Sequence, residues 1–118
     1  MSEIAKKLIA KNLKKKEKSL DLGKCSLTDL NAIPELFDCT YLEELILSDD
    51  WSQFDTEYDE YTRHRTANTK KPNKIEIFPL EFTKLKNLKI LRAEGLKISD
   101  INILGEMTNS TELNPLIV

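Results

Sequence analysis

The chain has 118 residues, 40% hydrophobic and 32% charged, with only three glycines and four prolines. That is the make-up of a folding globular protein, and the length suits one domain with a single modest core. Two cysteines, Cys25 and Cys39, and one histidine, His64, are too few for a disulfide framework or a metal cluster, so no cofactor is expected and both thiols read as reduced core residues.

The chain opens with Ile4, Ala5, Leu8, Ile9 and Leu13 at helical spacing, and Lys6, Lys7, Lys11, Lys14 and Lys15 fall largely off that face. Ser2 can cap such a helix, which is expected to run to about Lys16 and to cover the first end of the domain (residues 1–18). A basic amphipathic helix also suits anionic lipid or nucleic acid. Neither is expected as a partner. Leu8-Ile9-Ala10 is too short for a signal core or membrane span, which makes the expected location cytoplasmic. Residues 35–61 hold ten acids and no Lys or Arg, whereas a phosphate-binding face needs basic charge across it. The acidic middle suits either a basic partner or plain solvation.

Self-similarity is the strongest signal. Leu36, Cys39, Leu42 and Leu45 are spaced by three; so are Phe82, Leu85, Leu88 and Leu91, and Leu104, Met107, Ser110 and Leu113. A short strand-like stretch follows the first two blocks, Leu45-Ile46-Leu47 and Leu91-Arg92-Ala93, and an earlier copy is Leu20-Asp21-Leu22-Gly23-Lys24-Cys25-Ser26-Leu27. Alternate strand residues share a face, which sends Leu20 and Leu22, or Leu45 and Leu47, into the core together. The three-residue spacing before each strand suits a helix or 3₁₀ turn on the opposite side.

These residues resemble the leucine-rich-repeat family, with Cys25 at the position that family fills with Asn or Cys and Leu96 at the same place in the later copy. Ile33-Pro34-Glu35-Leu36 and Phe78-Pro79-Leu80-Glu81-Phe82 resemble bacterial-type repeats. Ile98-Ser99-Asp100-Ile101 followed by Met107-Thr108-Asn109 is similar to the internalin subtype. An early strand followed by a long insertion is similar to the repeat regions of bacterial Roco proteins, which carry a GTPase domain further along; no G-x-x-x-x-G-K-[ST] occurs in this sequence. The resemblance implies an α/β fold: a short solenoid with three to four parallel strands on its concave face, an N-terminal capping helix and an irregular or 3₁₀ convex side. The expected layout is the cap (1–18), first repeats (19–50), an insertion (51–73), later repeats (74–113) and a tail (114–118).

Within the insertion Trp51, Phe54, Tyr58 and Tyr61 recur at intervals of three, four and three, which predicts a short helix with four aromatics on one face. Aromatics framed by acids suit a protein interface, and they equally suit packing on the neighbouring repeat. The other candidate surface is the row of strand residues alternating with the core leucines: Ser19 and Asp21, then Glu44, Ile46 and Ser48, then Ile90, Arg92 and Glu94. At the far end Ser110 and Pro115 break the pattern, and Leu113, Leu116, Ile117 and Val118 are expected to fold back over Leu104 and Met107 or to meet a second copy in a homodimer.

There is no phosphate loop, no G-x-S-x-G and no H-E-x-x-H, and acid pairs such as Asp49-Asp50 read as solvated charge; the chain is expected not to be an enzyme. The expected function is a protein–protein interaction module that uses the concave strands and the aromatic insertion. The alternative is a structural N-terminal part of a larger repeat-containing signalling or surface protein with no partner of its own.

Overall fold

The computed structural model describes residues 3–96 and 112–114. Helix α1 spans Glu3–Lys15, a segment rich in Lys, Leu and Ala with no Gly or Pro to interrupt it. It ends where Lys16 turns into the left-handed region, φ 54°. Its inward face holds Ala5, Ile9 and, less obviously, Asn12, with Ile4, Leu8 and Leu13 packed against the core at their edges. Asn12 donates from Nδ2 to the Glu17 carbonyl at 3.1 Å, and the Tyr41 hydroxyl donates to the Asn12 carbonyl at 3.0 Å and contacts its Oδ1. A polar side chain thereby pins the helix end to the turn before the second strand.

Six strands follow among the described residues: β1 (Ser19–Asp21), β2 (Glu44–Ile46), β3 (Asp50–Asp55), β4 (Glu60–Arg65), β5 (Ile90–Arg92) and β6 (Glu112–Asn114). Four of them form one parallel sheet in the order β1-β2-β5-β6. Leu20 pairs with Leu45, Leu45 with Leu91 and Leu91 with Leu113. Opposite the sheet lie 3₁₀ turns at Leu30–Ala32, Pro34–Asp38 and Leu80–Lys84.

These turns explain the three-residue spacing. Backbone bonds run Leu36 N to Ile33 O (3.0 Å), Cys39 N to Leu36 O (3.1 Å) and Leu42 N to Cys39 O (3.1 Å), then Leu85 N to Phe82 O (3.1 Å) and Leu88 N to Leu85 O (3.2 Å). A 3₁₀ path has three residues per turn, so every third side chain faces the same way. Leu36, Cys39, Leu42, Phe82, Leu85 and Leu88 are all buried beneath the sheet. Phe82 meets Phe37 edge-on with centroids 6.4 Å apart and Phe78 at 4.8 Å, which ties successive turns together.

The expectation of a leucine-rich-repeat solenoid is corrected by the shape and by the second sheet. The domain measures 37 × 31 × 29 Å with a radius of gyration of 13.4 Å, so it is a compact α/β globule with no long axis. Strands sit about 4.8 Å apart, and a few three-residue strands make a sheet no wider than the layers are deep. The predicted helix at 51–61 is also absent. β3 and β4 pair antiparallel instead, from Asp50 with Arg65 to Asp55 with Glu60, around a turn in which Asp59 has φ 53°. Trp, Phe, Tyr and Thr are strand formers, and the pairing satisfies a backbone that one short exposed helix would leave half-open.

Residues 66–74 then run back over the turn after β1. Thr66 donates from Oγ1 to both carboxylate oxygens of Asp21 (2.9 and 2.8 Å), and Asn68 Nδ2 donates to the carbonyls of Asp21 (3.0 Å) and Gly23 (2.9 Å). Asn73, 5% exposed, accepts at Oδ1 from Cys25 N (3.1 Å) and Leu27 N (2.8 Å) and donates from Nδ2 to Leu22 O (2.8 Å) and Leu47 O (2.9 Å). One buried amide completes two turns. The Ser2 cap and the expectations placed on Ile98, Leu104, Met107, Ser110, Pro115 and the tail, including the C-terminal homodimer, lie outside the described residues; of Leu113 only the backbone pairing is described.

Candidate functional site

The row of strand residues expected to form a concave contact surface is largely spoken for. Ile46, Ser48 and Arg92 are 7%, 0% and 4% exposed, so none of the three is available to a partner in this conformation. Glu44 bridges its neighbours: Ser19 Oγ donates to one carboxylate oxygen at 2.7 Å and Arg92 Nε to the other at 2.7 Å. Asp21 accepts from Thr66 and from Gly23 N. Ser48 Oγ and Arg92 Nη1 are buried and have no hydrogen-bond partner among the described residues. Ile90 remains half-buried on this face.

The hairpin β3–β4 presents a different picture because successive side chains alternate between its faces. Trp51 lies opposite His64, and the two rings stack with centroids 6.2 Å apart. Trp51 Nε1 donates to Gln53 Oε1 at 3.1 Å, while Thr62 Oγ1 and His64 Nε2 lie 3.0 Å apart. Trp51 is buried. The intervals of three and four thus put the aromatics on opposite faces, and the single four-aromatic face predicted from them does not form.

The other face carries Asp50, Ser52 and Phe54 beside Arg65, Arg63 and Tyr61. At its base Arg63 Nη1 donates to Glu94 Oε1 (2.6 Å) and Ser52 Oγ (2.9 Å), its Nη2 pairs with Asp50, and Ser52 N donates to Glu94 Oε2 (2.9 Å). Glu94, expected on the concave surface, instead anchors the hairpin to the turn after β5. Burial raises its pKa, but the Ser52 N–H and the Arg63 guanidinium outweigh that and hold the carboxyl below the usual glutamate range. Arg63 is correspondingly held above the ordinary arginine value by its hydrogen bond to Glu94.

A group whose folded pKa is depressed contributes stability above its unfolded pKa, and that contribution is lost as pH falls through the folded value. Acidification below the ordinary glutamate range is therefore expected to release the hairpin base. Trp51, the sole tryptophan, reports it: its fluorescence should change at a pH above that of global acid unfolding, and Glu94→Gln should show the altered signal already at neutral pH. A single coincident transition in both proteins would rule this out.

Toward the tip the hairpin is open. Phe54 and Tyr61 meet edge-on with centroids 5.3 Å apart, yet remain 45% and 71% exposed, and Tyr58 in the turn is 64% exposed. Asp55, Glu57, Asp59 and Glu60 surround them. No model of a known protein family matches the chain, and no curated protein is similar to it. The site must be read from its chemistry.

Among the described residues no three His, Cys, Asp or Glu side chains are grouped to hold a metal ion. A cavity of about 400 Å³ lies between the hairpin base and the turn after β5, lined by Asp49, Asp50, Asn73, Lys74, Glu94 and Leu96 among others. Burial raises the Asp49 carboxyl, but Asp50 and Glu94 are committed to Arg63. The thiols lie elsewhere, both buried, with Cys25 pushed up to about 11 by burial and by Asp21. Among the described residues no helix is long and apolar enough to cross a membrane.

Proposed function

We propose that this chain is a protein-binding module whose contact surface is the outer half of the hairpin, centred on Phe54, Tyr58 and Tyr61. The observation that carries the reading is the exposure of three aromatics on an element whose base is held by a buried tryptophan and an arginine–carboxylate cluster. Exposed aromatic rings on a rigid support lose little conformational freedom on binding, which is why such residues dominate interface energetics. The acids around them direct the site toward a basic or mixed partner surface. Two unbridged buried thiols suit a reducing compartment, and the cytoplasm is the location proposed.

Alanine variants at the tip test this. Tyr58→Ala and Tyr61→Ala are each expected to weaken partner capture by about tenfold or more, the hot-spot range; Tyr58→Ala should leave unfolding stability nearly unchanged because its ring faces solvent, and Tyr61→Ala should cost about 1 kcal/mol for the lost edge contact with Phe54. Asp21→Ala and Glu44→Ala, whose partners are internal, should lower stability and leave affinity alone once folded. Capture that survives the paired tip change would remove the hairpin from consideration.

A further inference from the structure

We propose that the hairpin tip docks onto the lysine face of α1 in a second copy of the chain, so that the protein associates head to tail through two of its own surfaces. The inference rests on the tip being the contact surface and adds what occupies it.

It begins from how the chain distributes its ion pairs. Lys18 and Lys89 meet Glu43, Arg63 meets Asp50 and Glu94, and Arg92 meets Glu44. Among the described residues, and beside the exposed Lys70, Lys71 and Lys74, two concentrated sets of opposite sign take no part in such pairs. One is Asp55, Glu57, Asp59 and Glu60 at the tip; the other is Lys7, Lys11, Lys14 and Lys15 on α1, four against four, all eight exposed except the half-buried Asp55. Positions 7, 11, 14 and 15 follow the i, i+4, i+7, i+8 spacing of a single helix stripe, about 12 Å from end to end at 1.5 Å per residue. That stripe is free because α1 turns Ala5, Ile9 and Asn12 inward.

The aromatics supply the second half of the fit. Lysine stems lie on apolar surface while their ammonium groups find carboxylates or ring faces. The chain already makes one such contact internally, with Lys16 Nζ 5.6 Å from the Tyr41 ring centre. Tyr58 and Tyr61 offer the same kind of ring, with Glu57, Asp59 and Glu60 next to them in the chain. An exposed charged contact of this kind is weak and salt-sensitive, since charges farther apart than about 10 Å are screened at 0.1 M salt.

Sedimentation of the full chain at about 0.2 mM tests it, where weak contacts of this order populate a complex. In about 0.02 M salt the weight-average mass should exceed the monomer's by roughly half or more, and in about 0.5 M salt it should return to the monomer value. A helix-reversed chain (Lys7→Glu, Lys11→Glu, Lys14→Glu) and a tip-reversed chain (Glu57→Lys, Asp59→Lys, Glu60→Lys) should each be monomeric in low salt. Mixed together, they should associate again, because each then offers the other a complementary pair; circular dichroism confirms that both are folded. A wild-type chain that stays monomeric in low salt overturns the proposal, as does association that survives either reversal or fails to return on mixing. If that happens while Tyr58→Ala still abolishes capture of another protein, only the occupant is wrong; if Tyr58→Ala also leaves capture intact, the hairpin reading falls with it.

Discussion

Asn73→Ala is expected to destabilise the domain by about 3–5 kcal/mol, a large part of what holds a domain of this size together. The wild-type amide satisfies the N–H groups of Cys25 and Leu27 and the carbonyls of Leu22 and Leu47, and it is almost wholly buried at the edge of the cavity beside the hairpin base. Each buried backbone group left unpaired costs about 1–3 kcal/mol, and partial hydration keeps the total below the simple sum. Asn73→Asp keeps the acceptor but loses the donor and buries a charge, so it should be no milder. Urea unfolding followed by Trp51 fluorescence measures both. A loss under about 1 kcal/mol for the alanine variant would mean that the two turns hold themselves without the side chain.

Gly23→Ala should cost about 2–4 kcal/mol, for a steric reason. A Cβ at Gly23 would fall well inside van der Waals contact of the Ser48 carbonyl oxygen and only 2.9 Å from Thr66 Cβ. Neither neighbour is free to give way: one is backbone just beyond β2, and Thr66 is held by Asp21. Gly95 provides the contrast. Among the described residues nothing lies within 4 Å of the corresponding Cβ there, and its φ of 85° brings a backbone strain of about 1–2 kcal/mol for a left-handed alanine. Thermal unfolding of the two variants side by side should rank Gly23→Ala as the more damaging, and the reverse order would show that residues 47–48 and 66 can move apart.

Part of this architecture was legible in the sequence because it repeats locally. The apolar positions three apart and the leucines at 20, 45, 91 and 113 mark the buried side of the 3₁₀ turns and the register of the parallel strands. Overall shape was not legible, since spacing says how neighbouring segments meet and not how far a stack extends before other segments fold over it. The hairpin is hidden in the sequence because intervals of three, four and three fit a helix as well as they fit two strands separated by a turn. Its Trp, Phe, Tyr and Thr content was the signal that favoured strands. Asn73, Thr66 and Asn68 carried no signal at all: apart from the local bond of Asn68 N to Thr66 Oγ1, their side chains bond residues 43 to 51 positions away and Leu47 at 26, and a lone Asn in a polar stretch looks like any loop residue. The burial of Ile46, Ser48 and Arg92 was equally hidden, because alternation separates the two faces of a strand without saying that both are covered.

The reach of Asn73 also sets an order of events during folding. Its bonds to Cys25, Leu27 and Leu22 close loops of 46 to 51 residues, and closure of a flexible segment that long costs roughly 3–4 kcal/mol in chain entropy before any contact repays it. The turn after β1 cannot be completed until residue 73 has left the ribosome, so the first quarter of the chain waits, with the amides of Cys25 and Leu27 open, for a segment made much later. Non-local closure of this kind belongs to slow-folding topologies. During synthesis the amides of Cys25 and Leu27 therefore stay open at least until residue 73 is made.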